Sequence, residues 1–116
     1  MAKTGGQVRV TYPALSRRQV VERLRQAYRR LKIKLPVSKM ILYGSYATGR
    51  YTAGSDIDLL VVYEGERRED AYKLVSSEIA LPRLEPKVYT QREFNILISR
   101  SRKFAVTLNS EGVEIS

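Results

Sequence analysis

Near the middle of the chain lies an unbroken apolar run, Leu59-Leu60-Val61-Val62. Successive strand residues point to opposite faces, so a strand that is apolar at every position must be covered on both sides. Such a strand is central in its sheet, and the sheet needs a layer on each face. At 116 residues the chain is expected to form one domain, long enough to bury a real core.

The segments around this strand supply the layers. Ser16 with Gln19 reads as a capping box, and Val20, Leu24, Tyr28 and Leu31 repeat at helical spacing. A helix is expected over residues 17–32, with Pro36 beyond its end. Lys39 to Tyr43 reads as a short strand, and Ser45 to Thr48 as the first turn of a short helix. The central strand is expected from Asp56 to Tyr63, and a helix over residues 68–80. Leu84 to Tyr89 reads as a third strand, with Pro86 arguing for an edge or a bulge. Thr90 with Glu93 is a second capping box, opening a helix expected to run from Gln91 to Asn109. Val113-Glu114-Ile115 reads as a last strand. The order α, β, short α, β, α, β, α, β gives an α/β or α+β fold. In it a small sheet of about four strands is flanked by helices. Residues 1–15 read as a flexible or extended lead-in, with Tyr12-Pro13 near its end, and residues 16–116 as the domain.

Composition removes several chemistries. The chain has no cysteine and no histidine. Disulfides, zinc sites built on Cys or His, thiol nucleophiles and imidazole bases are therefore excluded. Chemistry must rest on carboxylates, hydroxyls, Lys, Arg and backbone groups. No apolar run approaches the roughly 18 residues of a membrane span. The start, Met-Ala-Lys-Thr-Gly-Gly, has no apolar core of a secretory signal, so a cytoplasmic protein is expected. The net charge of +9 concentrates at Arg17, Arg18, Arg23, Arg25, Arg29, Arg30, Lys32 and Lys34, and again at Arg100, Arg102 and Lys103. A solvated basic surface and attraction to polyphosphate, nucleic acid or an acidic protein both account for it. Nucleic acid is the less favoured of these partners.

The residues fit for chemistry lie between Leu42 and Tyr63. Gly44-Ser45 stands where a strand passes into a helix, a place where backbone N–H groups lack partners and attract anions. Gly44 leaves room for a phosphate, and the Ser45 hydroxyl adds a donor. Asp56 and Asp58 are two residues apart at the start of the apolar strand, a spacing that puts both on one face. Paired carboxylates suit magnesium, a hard cation that takes oxygen ligands. Phosphate donors facing a metal site are the equipment of phosphoryl or nucleotidyl transfer.

Gly44-Ser45, a spacer of ten residues, and Asp56-Ile57-Asp58 resemble the signature of the DNA polymerase beta nucleotidyltransferase superfamily. The wider run from Gly44 to Val61 is similar to the minimal nucleotidyltransferases (MNT) of prokaryotes. The resemblance in type and order of elements covers Met40 to Ile115 and implies a polymerase beta palm-like fold. It implies transfer of NMP, usually AMP from ATP, with two magnesium ions held by three carboxylates. Asp56 and Asp58 match the first two. Glu85 is the candidate for the third, although the family more often has Asp there and Pro86 follows directly. Ser45, Arg50, Ser55 and Lys87 are then candidates to hold the phosphates, and Tyr43, Tyr46 and Tyr51 either stack on a base or are buried. Members of this type commonly work beside a helical partner of the HEPN type in toxin–antitoxin modules, so a tyrosine of such a partner is an expected acceptor. Three readings stay open: an adenylyltransferase acting as an antitoxin, a non-catalytic antitoxin that works by docking, and a basic nucleic-acid-binding domain. Self-association is also open.

Overall fold

A computed structural model describes residues 15–116 of the chain. The expected lead-in, with Tyr12 and Pro13, lies outside the described residues except for Leu15.

Helix α1 (Arg17–Lys34) starts where its capping box predicts. The Gln19 amide donates to the Ser16 hydroxyl at 3.0 Å, and the Ser16 amide donates to the Gln19 side chain at 2.8 Å. Both bonds satisfy donors that the first turn leaves free. The helix runs two residues past the expected end because the restraint from Pro36 falls on Leu35, which is extended. Lys34, in that extra stretch, reaches Glu78 at 2.5 Å. The stripe Val20, Leu24, Ala27 and Leu31 is buried. The arginines on the other faces are exposed, and Arg30 also reaches Glu78.

Strand β1 (Val37–Tyr43) leads through the one-turn helix α2 (Ser45–Thr48) to β2 (Ile57–Tyr63). Helix α3 (Ala71–Ile79) and strand β3 (Leu84–Thr90) follow. Helix α3 starts three residues later than residues 68–80 would give. Arg68 is pinned outside it: its amide donates to the Tyr63 hydroxyl at 2.8 Å, and its guanidinium pairs with Asp70. The chain ends with α4 (Gln91–Arg100), α5 (Arg102–Glu111) and β4 (Val113–Glu114). The single helix expected over residues 91–109 is therefore two. At Ser101 the backbone leaves the helical region, and the Ser101 hydroxyl caps the second segment by accepting from the Phe104 amide at 3.3 Å.

The four strands form one mixed sheet in the order β3-β2-β1-β4. β1 is antiparallel to β2 and β4, and β2 is parallel to β3. β2 is central, and β3 stands at an edge as Pro86 requires. Alternate residues of β2 enter two separate clusters. Leu59, Val61 and Tyr63 pack with α1 and α3 residues such as Leu24, Leu31 and Val75. Leu60 and Val62 pack with Tyr43, Phe94 and Leu108 beneath α4 and α5. Each such aliphatic side chain stabilises the fold by about 1.5–3 kcal/mol through burial. No helix among the described residues is long and apolar enough to cross a membrane.

Candidate functional site

The site starts where β1 stops. Gly44 adopts φ 77° and ψ −155°, a conformation open essentially only to glycine. Its missing side chain is also a spatial need. A Cβ there would overlap the Asp58 carboxylate, lying 3.1 Å from its Cγ and 3.3 Å from its Cβ. The Asp58 side chain therefore lies directly against the Gly-Ser turn. After the turn, the Ala47 and Thr48 amides donate to the Gly44 carbonyl at 3.1 and 3.2 Å. No side chain caps α2, so its first amides are left without a side-chain acceptor. Ser45 is half-buried beside them.

Asp58 is the second residue of β2 and stands between two neighbours in register. Tyr43 of β1 is opposite on one side, and Glu85 of β3 on the other. Burial pushes the Asp58 carboxyl up from its ordinary value; Asp56 adds to the rise, Lys87 opposes it and Glu85 adds to it. Asp56 lies just before β2 rather than inside it, a correction to the expected strand start. It is half exposed and sits 3.6 Å from the Arg83 Nε. Glu85 and Lys87 are exposed on β3, two residues apart, on the face that Asp58 shares. Among the described residues, no three carboxylates stand close enough together to form a finished metal cluster. The donor set nonetheless fits a hard divalent cation in kind: Asp58 is a part-buried carboxylate whose charge is costly, with the like charges of Asp56 and Glu85 acting on it.

The other expected binding residues fall in different places. Ser55 shapes its own loop: its hydroxyl accepts from the Thr52 amide at 2.8 Å, and its amide donates to the Thr52 carbonyl at 3.1 Å. The Arg50 side chain is exposed on the same loop. Tyr46 and Tyr51 stack on each other, with ring centres 4.3 Å apart and planes 7° apart, and Tyr46 is buried. The Tyr51 hydroxyl accepts from the Arg17 amide at 3.1 Å, which ties α1 to the loop. Tyr43 is buried edge-on to Phe104, with 5.6 Å between ring centres. Burial, then Asp58, then Tyr89 push its hydroxyl up to about 12. Beside Lys87, a cavity of about 220 Å³ opens between Tyr89, Leu97, Ser101 and Phe104.

Two residues at the site gave no signal in the sequence pattern. Arg83 has φ 59°, its carbonyl accepts from the Ile57 amide at 2.8 Å, and its side chain faces Asp56. The Pro82 before it marks a turn but says nothing of Asp56. The helical spacing over residues 91–109 passes over Phe104, which meets the Tyr43 ring from beyond the break at Ser101.

Comparison with known proteins identifies the domain family and the fold. Residues 18–109 match the model of the nucleotidyltransferase domain family. A protein from Sulfolobus solfataricus, assigned as a nucleotidyltransferase, is similar in structure with a TM-score of 0.57 and 19% identity, over 84% of this chain and 80% of that one. A toxin–antitoxin structure with AMP-PNP is similar with a TM-score of 0.52 and 18% identity, over 79% of this chain and 72% of that one. Both likenesses are of fold. No curated protein matches the chain.

Proposed function

The chain belongs to the nucleotidyltransferase domain family, and on that footing we propose that it transfers NMP, in the favoured case AMP from ATP, to a hydroxyl acceptor with magnesium. One observation carries this reading: the Asp58 carboxylate packs against the uncapped Gly44-Ser45 turn while Asp56 and Glu85 press like charge on it. In this reading the Asp58 carboxylate is a cation ligand that lies against the phosphate donors.

In this reading Asp56 and Asp58 hold magnesium and Glu85 is the third ligand. The bound metal supplies Lewis-acid stabilisation of charge on the phosphates. The Ser45 hydroxyl and the first amides of α2 donate to phosphate oxygens, and Lys87 contributes positive charge from β3. Arg50 and Ser55 border the phosphates from the loop. The acceptor oxygen bonds to the α-phosphorus, the bond to the pyrophosphate oxygen breaks, and Glu85 helps take the acceptor proton. Arg83 faces Asp56 and would have to release it for Asp56 to serve as a ligand. We place the activity in the cytoplasm, with a tyrosine of a HEPN-type helical partner as acceptor. The family resemblance and a fold shared with a toxin–antitoxin structure containing AMP-PNP support that choice.

A second reading is a docking antitoxin without catalysis. It is favoured by the Asp56–Arg83 pair and by carboxylates that are not gathered into a cluster among the described residues. Incubation with labelled ATP, magnesium and a HEPN-type acceptor separates the two. Transfer of label with release of pyrophosphate, lost in the Asp56→Ala, Asp58→Ala double variant, is the expected result. Neutralisation of the partner that survives the double variant establishes the docking reading instead.

A further inference from the structure

Tyr43 carries a polar atom that no other described residue uses. Its hydroxyl is buried and has no hydrogen-bond partner among the described residues. Buried polar groups in folded proteins are nearly always paired, and an orphan calls for an explanation. Packing does not supply one. The ring lies among Leu60, Val62, Phe94 and Leu108 with Phe104 in a T-shaped contact, and a phenylalanine would fill the same space without burying a hydroxyl.

The position of the orphan supplies it. Tyr43 is the register partner of Asp58, and Gly44, against which the Asp58 carboxylate lies, is the next residue in the chain. Residues directly opposite in an antiparallel pair have Cα atoms about 4.5–5.5 Å apart. A phenol keeps its proton near neutrality and so offers a donor beside a carboxylate. We propose that Tyr43 is a positioning residue for Asp58, its hydroxyl donating to the Asp58 carboxylate when a divalent cation is held by Asp56 and Asp58. A donor of this kind fixes the orientation of a ligating carboxylate. The orphan is then the resting half of a bond completed on loading. The proposal rests on the reading of Asp56 and Asp58 as cation ligands.

The test is Tyr43→Phe, read in two ways. Without ligand, the melting temperature of the variant equals or exceeds that of the wild type, because a buried unpaired hydroxyl has been removed. At fixed ATP, with magnesium titrated and stabilisation followed by thermal shift, the variant needs about tenfold more magnesium to reach its midpoint. A purely structural tyrosine would lower the ligand-free melting temperature and leave the magnesium midpoint alone, and either result overturns the proposal. If the wild type responds to magnesium and the variant matches it, only this proposal falls. If the wild type shows no magnesium response with any of the four common nucleoside triphosphates, the cation site itself falls and takes the proposal with it.

Discussion

Two strands among the described residues, β1 and β3, pass directly into a helix, and they do so in chemically opposite ways. At the end of β3 the junction closes on itself. The Glu93 amide donates to the Thr90 hydroxyl at 3.1 Å, the Thr90 amide donates to the Glu93 carboxylate at 2.9 Å, and Arg67 clamps that carboxylate through two bonds of 2.7 Å. At the end of β1 there is no side-chain cap, and glycine stands where Thr90 stands in the other. The first junction spends its polar groups on holding α4. The second leaves them open and brings a carboxylate up to the gap. Helix ends need partners, so an end without a protein partner is open to a ligand.

Substitutions at the two junctions should therefore fail differently. The largest effect is expected for Gly44→Ala, which strains the backbone by about 1–3 kcal/mol and displaces the Asp58 carboxylate. Denaturant melts should show the loss of stability, and transfer assays a fall of more than about a hundredfold. A fully active Gly44→Ala protein would erase the distinction between the junctions.

Asp58→Asn comes next and should separate activity from stability. Transfer should fall by about a hundredfold or more, because several kcal/mol of charge stabilisation goes with the ligand. Stability should not fall. The folded-state pKa of Asp58 is raised, so its contribution is present below the ordinary value of 3.8 and is lost as pH rises through the folded value. Melts from pH 3 upward should show that loss in the wild type and not in the variant.

Thr90→Ala should give the reverse pattern. About 1 kcal/mol of stability disappears with the cap, and transfer by the remaining folded protein is unchanged. Its pH signature also has the opposite sign. Arg67 first, then the Thr90 backbone, hold the Glu93 carboxyl down from 4.5 to about 2. The stability linked to Glu93 is full above pH 4.5 and is lost as pH falls toward 2. Glu93→Gln should flatten that acid limb of the melting curve.

The smallest effect is expected at Arg83→Ala. Its pair with Asp56 is long and exposed on both sides, so stability should change by less than about 1 kcal/mol. The magnesium midpoint should move to lower concentration, since Asp56 no longer shares its charge. A midpoint moving the other way would show that Arg83 supports the site instead of masking Asp56.

Local features of this fold were legible in order along the chain. Ser16 with Gln19 and Thr90 with Glu93 cap their helices within four residues, so each box can be read without knowing what lies beyond. The apolar run of β2 requires cover on both faces, and the two clusters provide it. The long helix over residues 91–109 misled for a definite reason. Phe94, Ile98 and Leu108 all pack toward one face of the sheet, so the apolar period carries through the break. Only the Ser101 cap shows the interruption, and a serine in a helical pattern is a weak sign.

The sequence by itself determined the parts of the candidate site that are neighbours along the chain. A glycine before the serine, two aspartates around Ile57 and the buried strand after them are matters of spacing. Tertiary structure alone decided how those parts meet. The pairing of Asp58 with Tyr43 and Glu85, the fit of its carboxylate against Gly44, and the approach of Arg83 to Asp56 join residues far apart in the chain. The register of β1 on β2 and of β2 on β3 sets all three. A slip of one residue would turn every side chain of a strand to the opposite face, so packing of both faces of the core fixes the register. The arrangement at Gly44 and Asp58 thus depends on Leu59, Leu60, Val61 and Val62, none of which is part of the candidate site.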